Sequence, residues 1–204
     1  MMDIEMLMAG RGNPSALAEG LTAADISFLV GLLEERNNDI RYAAFLTLQR
    51  RSGTHGDVYP FWDMLAGKLQ SGNSYQRSIG VMLLSENVRW DREGRLDAIL
   101  NDYVACFHDE KFITARQAIQ SLEVWLPSKP EKYPQVLTAL TGIPVEALPG
   151  TQGRLILMDI LNILSLMQRE HPRDEAAAYI FRMLDGSVFS KKERKAILQR
   201  MGVE

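Results

Sequence analysis

The sequence predicts an all-α chain of paired helices, and three features carry that prediction. Apolar residues recur at helical spacing almost throughout, as at Ile26, Phe28, Leu29, Val30, Leu32 and Leu33, and no stretch alternates like a half-buried strand. Polar side chains suited to capping stand where the apolar runs begin, and Gly or Pro stands where they stop. An arginine recurs near the start of every second helix with a period of about 37 residues.

Taken in order, helices are expected over residues 2–9, 14–19, 22–36, 39–51, 58–70, 74–88, 92–107, 110–126, 131–141, 152–169, 173–185 and 191–201. Asn13-Pro14 reads as an N-cap followed by proline at the first helical position. Thr22 and Asp25 have the spacing of a capping box, with Leu21 and Ile26 at the two hydrophobic-staple positions. Asp57 and Asp91 are N-cap candidates, Asn73 with Gln76 resembles a second box, and Ser190 with Glu193 makes another. Stops fall at Gly20, at 53–56, at Ser71-Gly72, Gly142, Pro149-Gly150 and Gly186. The loop 142–150 is too short and proline-rich for a further strong helix, and has room for one turn at 145–148.

Arg41, Arg77, Arg116 and Arg154 are separated by 36, 39 and 38 residues. Three residues after them stand Ala44, Gly80, Ile119 and Leu157, and seven after stand Leu48, Leu84, Glu123 and Leu161, so an apolar stripe mostly holds its phase against the arginine. Tyr59-Pro60 and Tyr133-Pro134 lie 74 residues apart, two such periods. The helix pairs are then 22–51, 57–88, 91–126 and 131–169, within a single domain over 1–204 whose ends, 1–20 and 173–201, act as caps.

Composition narrows the function classes. With 46% hydrophobic and 24% charged residues the chain can bury a core, which excludes global disorder. A net charge of −3 gives no global basic signature for nucleic acid. Cys106 is the lone cysteine, so no internal disulfide forms and a reducing, cytoplasmic setting is expected. The first residues carry acids and no Lys or Arg before Arg11, the wrong charge for a secretory signal. The most apolar stretch, Leu155 to Met167, is interrupted by Asp159, Asn162 and Ser165, so no membrane span is expected.

An arginine followed at three and seven by small or apolar residues, on the second helix of each pair, resembles the HEAT-like and armadillo-type repeats. The resemblance covers about residues 22–170 and does not single out a subfamily. The Asp that usually precedes the Arg wanders, from Asp39 two residues ahead to Asp109 seven ahead, with Asn73 in its place in the second pair. The resemblance implies a right-handed α-α superhelix (a solenoid) of four helix pairs with capping helices at both ends. It also implies that the second helices line a concave face, with the arginines stacked along it.

The guanidinium groups then have two readings. They bond carbonyls or acids at neighbouring inter-helix turns, the commoner fate, or they form a stripe for acidic or phosphorylated partners. The third pair is the most polar, and if one stretch binds a partner it is Arg77, Ser78, Arg116, Gln117 and Gln120. Trp62, Trp90 and Trp125 are expected to fill space between helices. Cys106 and His108 diverge by about 200° on a helix and make no nucleophilic pair. No spacing suggests a metal site, a phosphate loop or a nucleophile elbow, so neither cofactor nor catalytic residue is expected. The basic run Ser190 to Lys195 reads as the solvated face of a capping helix.

The function that follows is a non-catalytic scaffold binding a protein or peptide, with oligomeric state undefined. One alternative is an enzyme of the alkylpurine DNA glycosylase type, similar in length and architecture, with Asp159 as the only acid among the ladder-side positions. Another is an accessory subunit docking through the Met-rich start at Met2, Met6 and Met8.

Overall fold

Several helices start where an apolar run meets a side chain that satisfies its first amides. Asn13 Oδ1 accepts from the Ala16 amide ahead of Pro14, and Thr22 and Asp25 close their box. The computed structural model describes residues 1–186 and 188–203. Among these every regular element is helical, and no helix is long and apolar enough to cross a membrane.

The chain divides into two compact units, Met1–Tyr103 and Val104–Glu204. The first holds α1 (Ile4–Gly10), α2 (Pro14–Glu19), α3 (Ala23–Gly31), α4 (Asn38–Thr54), α5 (Trp62–Gly67), α6 (Ser74–Asn87) and most of α7 (Arg95–Ala105). The second holds α8 (Phe112–Gln120), α9 (Leu122–Trp125), α10 (Tyr133–Thr141), α11 (Gly150–Glu170), α12 (Asp174–Asp185) and α13 (Lys191–Met201).

One turn recurs. Helices α3, α5 and α7 each tighten into a 3-10 turn, at Leu32–Glu34, Lys68–Gln70 and Cys106–His108. Each turn ends on an extended residue of nearly identical conformation: Glu35 (φ −63°, ψ 139°), Ser71 (−64°, 138°) and Asp109 (−57°, 137°). The side-chain oxygen of that residue accepts a hydrogen bond from the amide two residues on. Asn37 donates to Glu35 Oε1 at 3.2 Å, Asn73 to Ser71 Oγ at 3.2 Å, and Lys111 to Asp109 Oδ1 at 2.8 Å. The donor is in each case the N-cap residue of the next helix, so a polar side chain at one position links the end of one helix to the start of the next.

In the first unit α4 packs against α1, α2, α3 and α6, and α5 packs against α6. Leu29, Leu33, Ala44, Leu48, Leu65, Leu83 and Leu84 are fully enclosed. Each large aliphatic among them contributes about 1.5–3 kcal/mol by leaving water. Close approach of α5 and α6 rests on Gly80, where a Cβ would stand 3.0 Å from the Leu65 carbonyl oxygen and 2.9 Å from Lys68 Cβ. In the second unit α11 is the hub, contacting α8, α10, α12 and α13. Its Ile160, Leu161 and Leu164 are buried, as are Ala118, Ile119, Val136 and Ile180 on its neighbours.

Several elements differ from expectation. The stretch 110–126 is divided at Ser121 into α8 and α9. Asp57 does not cap a helix, because Arg51 holds its carboxylate at 2.6 Å. Asn73 caps α6 through the Tyr75 amide, but Gln76 does not complete a box, since its amide donates to the Leu33 carbonyl at 2.7 Å. Tyr59-Pro60 lies in a 3-10 turn before α5, whereas Tyr133-Pro134 opens α10 itself, so Trp62 and Tyr133, both buried, are the residues that begin the two α-helices. The room for a turn at 145–148 is taken by a 3-10 turn at Val145–Ala147.

Two predictions follow from this packing. A Cβ on Gly153 would stand 2.4 Å from the Val145 carbonyl oxygen, while one on Gly67 meets nothing within 4 Å. Gly153→Ala therefore lowers stability by about 2 kcal/mol or more despite its better helix propensity, and Gly67→Ala raises it by about 0.5–1 kcal/mol, read from urea midpoints. The second concerns the buried Asp25 carboxylate. Led by the bond from the Met2 amide, and with Thr22 donating its hydroxyl at 2.7 Å and its amide at 2.9 Å, it is held down to a pKa of about 2. Its unfolded value is about 3.9, so its contribution is complete above that pH and is lost as pH falls toward 2. NMR titration finds the Asp25 carboxyl protonating near the lower value, and Asp25→Asn flattens the acid limb of the stability curve.

Candidate functional site

The recurring turn fixes where the arginines stand. Arg41 and Arg77 each follow their N-cap, Asn37 and Asn73, by four residues. From there each reaches back to the carbonyl of the extended residue: Arg41 Nη1 donates to Glu35 O and Arg77 Nη1 to Ser71 O, both at 2.8 Å. Arg41 Nη2 also donates to Asn38 Oδ1 at 2.6 Å, and its guanidinium lies 5.4 Å over the ring of Tyr75.

Arg116 and Arg154 stand five residues after the N-cap positions Lys111 and Pro149, one residue further along their helices. One residue turns a side chain by about 100°. The register of Arg41 and Arg77 is taken instead by Ala115 and Gly153, both buried. The shifted arginines bind acids of a later helix. Arg116 Nε donates to Asp159 Oδ2 at 2.6 Å and its Nη2 to Oδ1 at 3.0 Å, and its guanidinium lies 5.7 Å over the ring of Phe112. Arg154 pairs with Glu193 and lies 5.6 Å over the ring of Phe189.

Of the five residues singled out for partner binding, the fold joins Arg116 and Gln120, both on Asp159. Gln120 Nε2 donates to Asp159 Oδ1 at 2.9 Å. Asp159 is buried and receives three hydrogen bonds, and its hydrogen bonding to Arg116 raises the pKa of that guanidinium. Gln117 is half-buried, and its side-chain oxygen is enclosed with no hydrogen-bond donor among the described residues. Arg77 is half-buried and bound to its turn, and Ser78 is buried beside it in α6. Four of the arginine column are thus bonded within the chain, two to turn carbonyls and two to carboxylates.

The other marked side chains also serve packing. Trp62 and Trp125 are fully buried, and Trp90 Nε1 donates to the Ser52 carbonyl at 2.7 Å. Cys106 is buried while His108 is exposed, so the two point apart. No group of three or more metal-ligating side chains occurs among the described residues. Ser190 and Glu193 form their capping box; with the Ser190 amide as the main donor, followed by the Ser190 hydroxyl and Arg154, Glu193 is held down to a pKa of about 2. Arg194 donates to the Phe189 and Gly186 carbonyls, which leaves Lys191, Lys192 and Lys195 as the exposed cations of the run.

What sequence reasoning passed over is aromatic. Tyr42 on α4 and Tyr75 on α6 are 60% and 64% exposed, and the Arg41 guanidinium lies over the Tyr75 ring. The available signal was position: Tyr75 stands two residues after the N-cap Asn73, on the rim of the turn, where Ile113 after Lys111 is likewise exposed.

No family model matches the sequence, and no curated protein matches it.

The two kinds of arginine separate in a stability measurement. Arg77→Met removes a charged donor from one turn carbonyl and costs about 1 kcal/mol. Arg116→Met strands the buried Asp159 carboxylate and costs about 3 kcal/mol. Equal losses in urea unfolding would mean that Asp159 does not depend on Arg116.

Proposed function

We propose that the protein is a helical-repeat scaffold of the HEAT-like or armadillo type that binds a protein or peptide, without catalysis of its own. The observation that carries the reading is the turn repeated at Glu35, Ser71 and Asp109, with the same 3-10 approach and the same side-chain bond to the next N-cap. The same turn inside each of three successive helix pairs is what a stacked repeat requires, and stacked repeats offer extended surfaces to partners.

Within that reading the binding surface lies at Arg41, Tyr42 and Tyr75 of the first unit, where the arginine column's capacity is not fully spent inside. Arg41 is pinned by Glu35 and Asn38 and stacked on Tyr75, so its guanidinium edge and the Tyr75 ring are ordered before any partner arrives, while the exposed Tyr42 ring lies 6.1 Å from that of Phe45. Tyr and Arg are the side chains that carry most energy at interface centres, and prior ordering lowers the entropic cost of association. Arg77 and Ser78 belong to the frame of the same unit, while Arg116 and Gln120 are engaged with Asp159 in the second unit.

A pull-down from native lysate with wild type and with Tyr42→Ala/Tyr75→Ala tests this, both shown by circular dichroism to be folded. A stoichiometric protein retained by wild type and lost at least tenfold with the double variant is the expected result. A partner retained equally by both would move the surface elsewhere, and capture of no protein would end the scaffold reading.

A further inference from the structure

A cleft of about 450 Å³ opens in the first unit where α2, α4 and α6 meet. That is within the range of small-molecule sites. Its walls carry charge of both signs: Glu19 from α2, Arg50 from α4 and Glu86 from α6, with Ser15 and Gln49 as neutral polar groups. The charges are not neutralised by each other. Arg50 forms no ion pair or hydrogen bond among the described residues, and it acts on Glu86 only through space.

Glu86 is the informative residue. Its side chain is only 17% exposed, yet its nearest cation is Arg89 at 3.5 Å, beyond ordinary hydrogen-bond length, and Arg89 spends a closer donor on the Gly53 carbonyl at 2.7 Å. Among the described residues no hydrogen bond reaches the Glu86 carboxylate. Burial accordingly raises its pKa, with Arg89 and Arg50 offsetting only part. Largely enclosed carboxylates are normally hydrogen-bonded, and one that is not requires an explanation. Every other enclosed carboxylate of this unit is bonded: Asp25 by Met2 and Thr22, and Asp91 by Tyr59 and the Arg95 and Leu96 amides. The exception faces a cleft.

We propose that this cleft binds a small zwitterion with a net positive charge, of the kind presented by a basic α-amino acid. Its ammonium and side-chain cation lie on Glu86 and Glu19, and its carboxylate on Arg50 with Gln49 beside it. Two acids and one guanidinium set the charge of the guest, since a cation alone leaves Arg50 unanswered and an anion meets two carboxylates. The free amino acid carries all three groups, whereas in the C-terminal basic residue of a peptide the α-nitrogen is an uncharged amide and only one cation remains. Gly53 gives the cleft its depth: a Cβ there meets only Glu86 Oε2, at 4.0 Å, so a longer side chain would grow into the cavity without disturbing α4.

The test is a titration of the full chain with L-lysine, followed by amide chemical shifts. Saturable binding is expected in the micromolar to millimolar range, with the largest shifts at Gly53, Thr54 and Glu86. Lysine amide, which lacks the carboxylate, and ε-acetyl-lysine, which lacks the side-chain cation, bind at least tenfold more weakly. A peptide ending in lysine, which lacks the α-ammonium, binds at least tenfold more weakly than the free amino acid, and equal binding overturns the proposal. Glu86→Gln weakens binding roughly tenfold or more while holding or raising the thermal midpoint, the opposite of what a purely structural carboxylate does. Gly53→Leu abolishes binding by occupying the space. No saturation by lysine at millimolar concentration, or binding that survives Gly53→Leu, overturns the proposal. None of these outcomes bears on the Tyr42 and Tyr75 surface, so the two readings fail separately.

Discussion

A chain made of short helices is governed by what happens at helix ends, because each end leaves up to four backbone groups without an intrahelical partner. Here arginine meets that demand repeatedly. Arg51 is the fullest case: its guanidinium donates to the carbonyls of Ala18 at 2.8 Å, Glu19 at 3.1 Å and Leu21 at 3.3 Å, closing the end of α2, while its remaining donors clamp Asp57. Arg41, Arg77, Arg89 and Arg194 do the same for single ends. A planar group with five donors answers several carbonyls at once, which a lysine ammonium does not do with the same geometry.

Buried charge in the first unit obeys the same logic. Lys68 is enclosed, and its ammonium lies between Glu34 and the Gln76 side-chain oxygen, while Gln76 turns its amide to the Leu33 carbonyl. The cluster ties the 3-10 turn after α3 to the one after α5 and to the first turn of α6. Removing Glu34 or Gln76 takes a partner from the Lys68 ammonium in its enclosed site, so the group behaves as a unit. In the second unit the Asp159 cluster fills the equivalent role between α8 and α11.

Much of this was legible in the amino acids alone. Helical character, the caps at Asn13, Thr22 and Ser190, and the packing role of the tryptophans follow from local spacing and hold in the structure. What escaped depends on distances along the chain that residue type does not reveal. Aligning the arginines by identity conceals the one-residue offset that separates Arg116 and Arg154 from Arg41 and Arg77, because Lys111 and Pro149 start their helices without a side-chain cap to mark the register. Asp57 has the composition of a cap, and Arg51, six residues earlier, claims it first. The cleft beside Glu86 was invisible for a plainer reason: it is assembled from three helices, and its defining property is a hydrogen bond that is not made.

The extended residue at each recurring turn is always two positions from the next N-cap, a span set by one side-chain hydrogen bond. That junction behaves as a fixed ruler. The starts of the successive 3-10 turns, Leu32, Lys68 and Cys106, are nonetheless unevenly spaced, so the extra residues enter elsewhere, in the second helices and the loops that follow them. Variants of this chain that gain or lose residues are therefore expected to do so ahead of α5 and α7, leaving the three junctions at constant length. Modules exchanged at Glu35, Ser71 or Asp109 would join with their geometry intact.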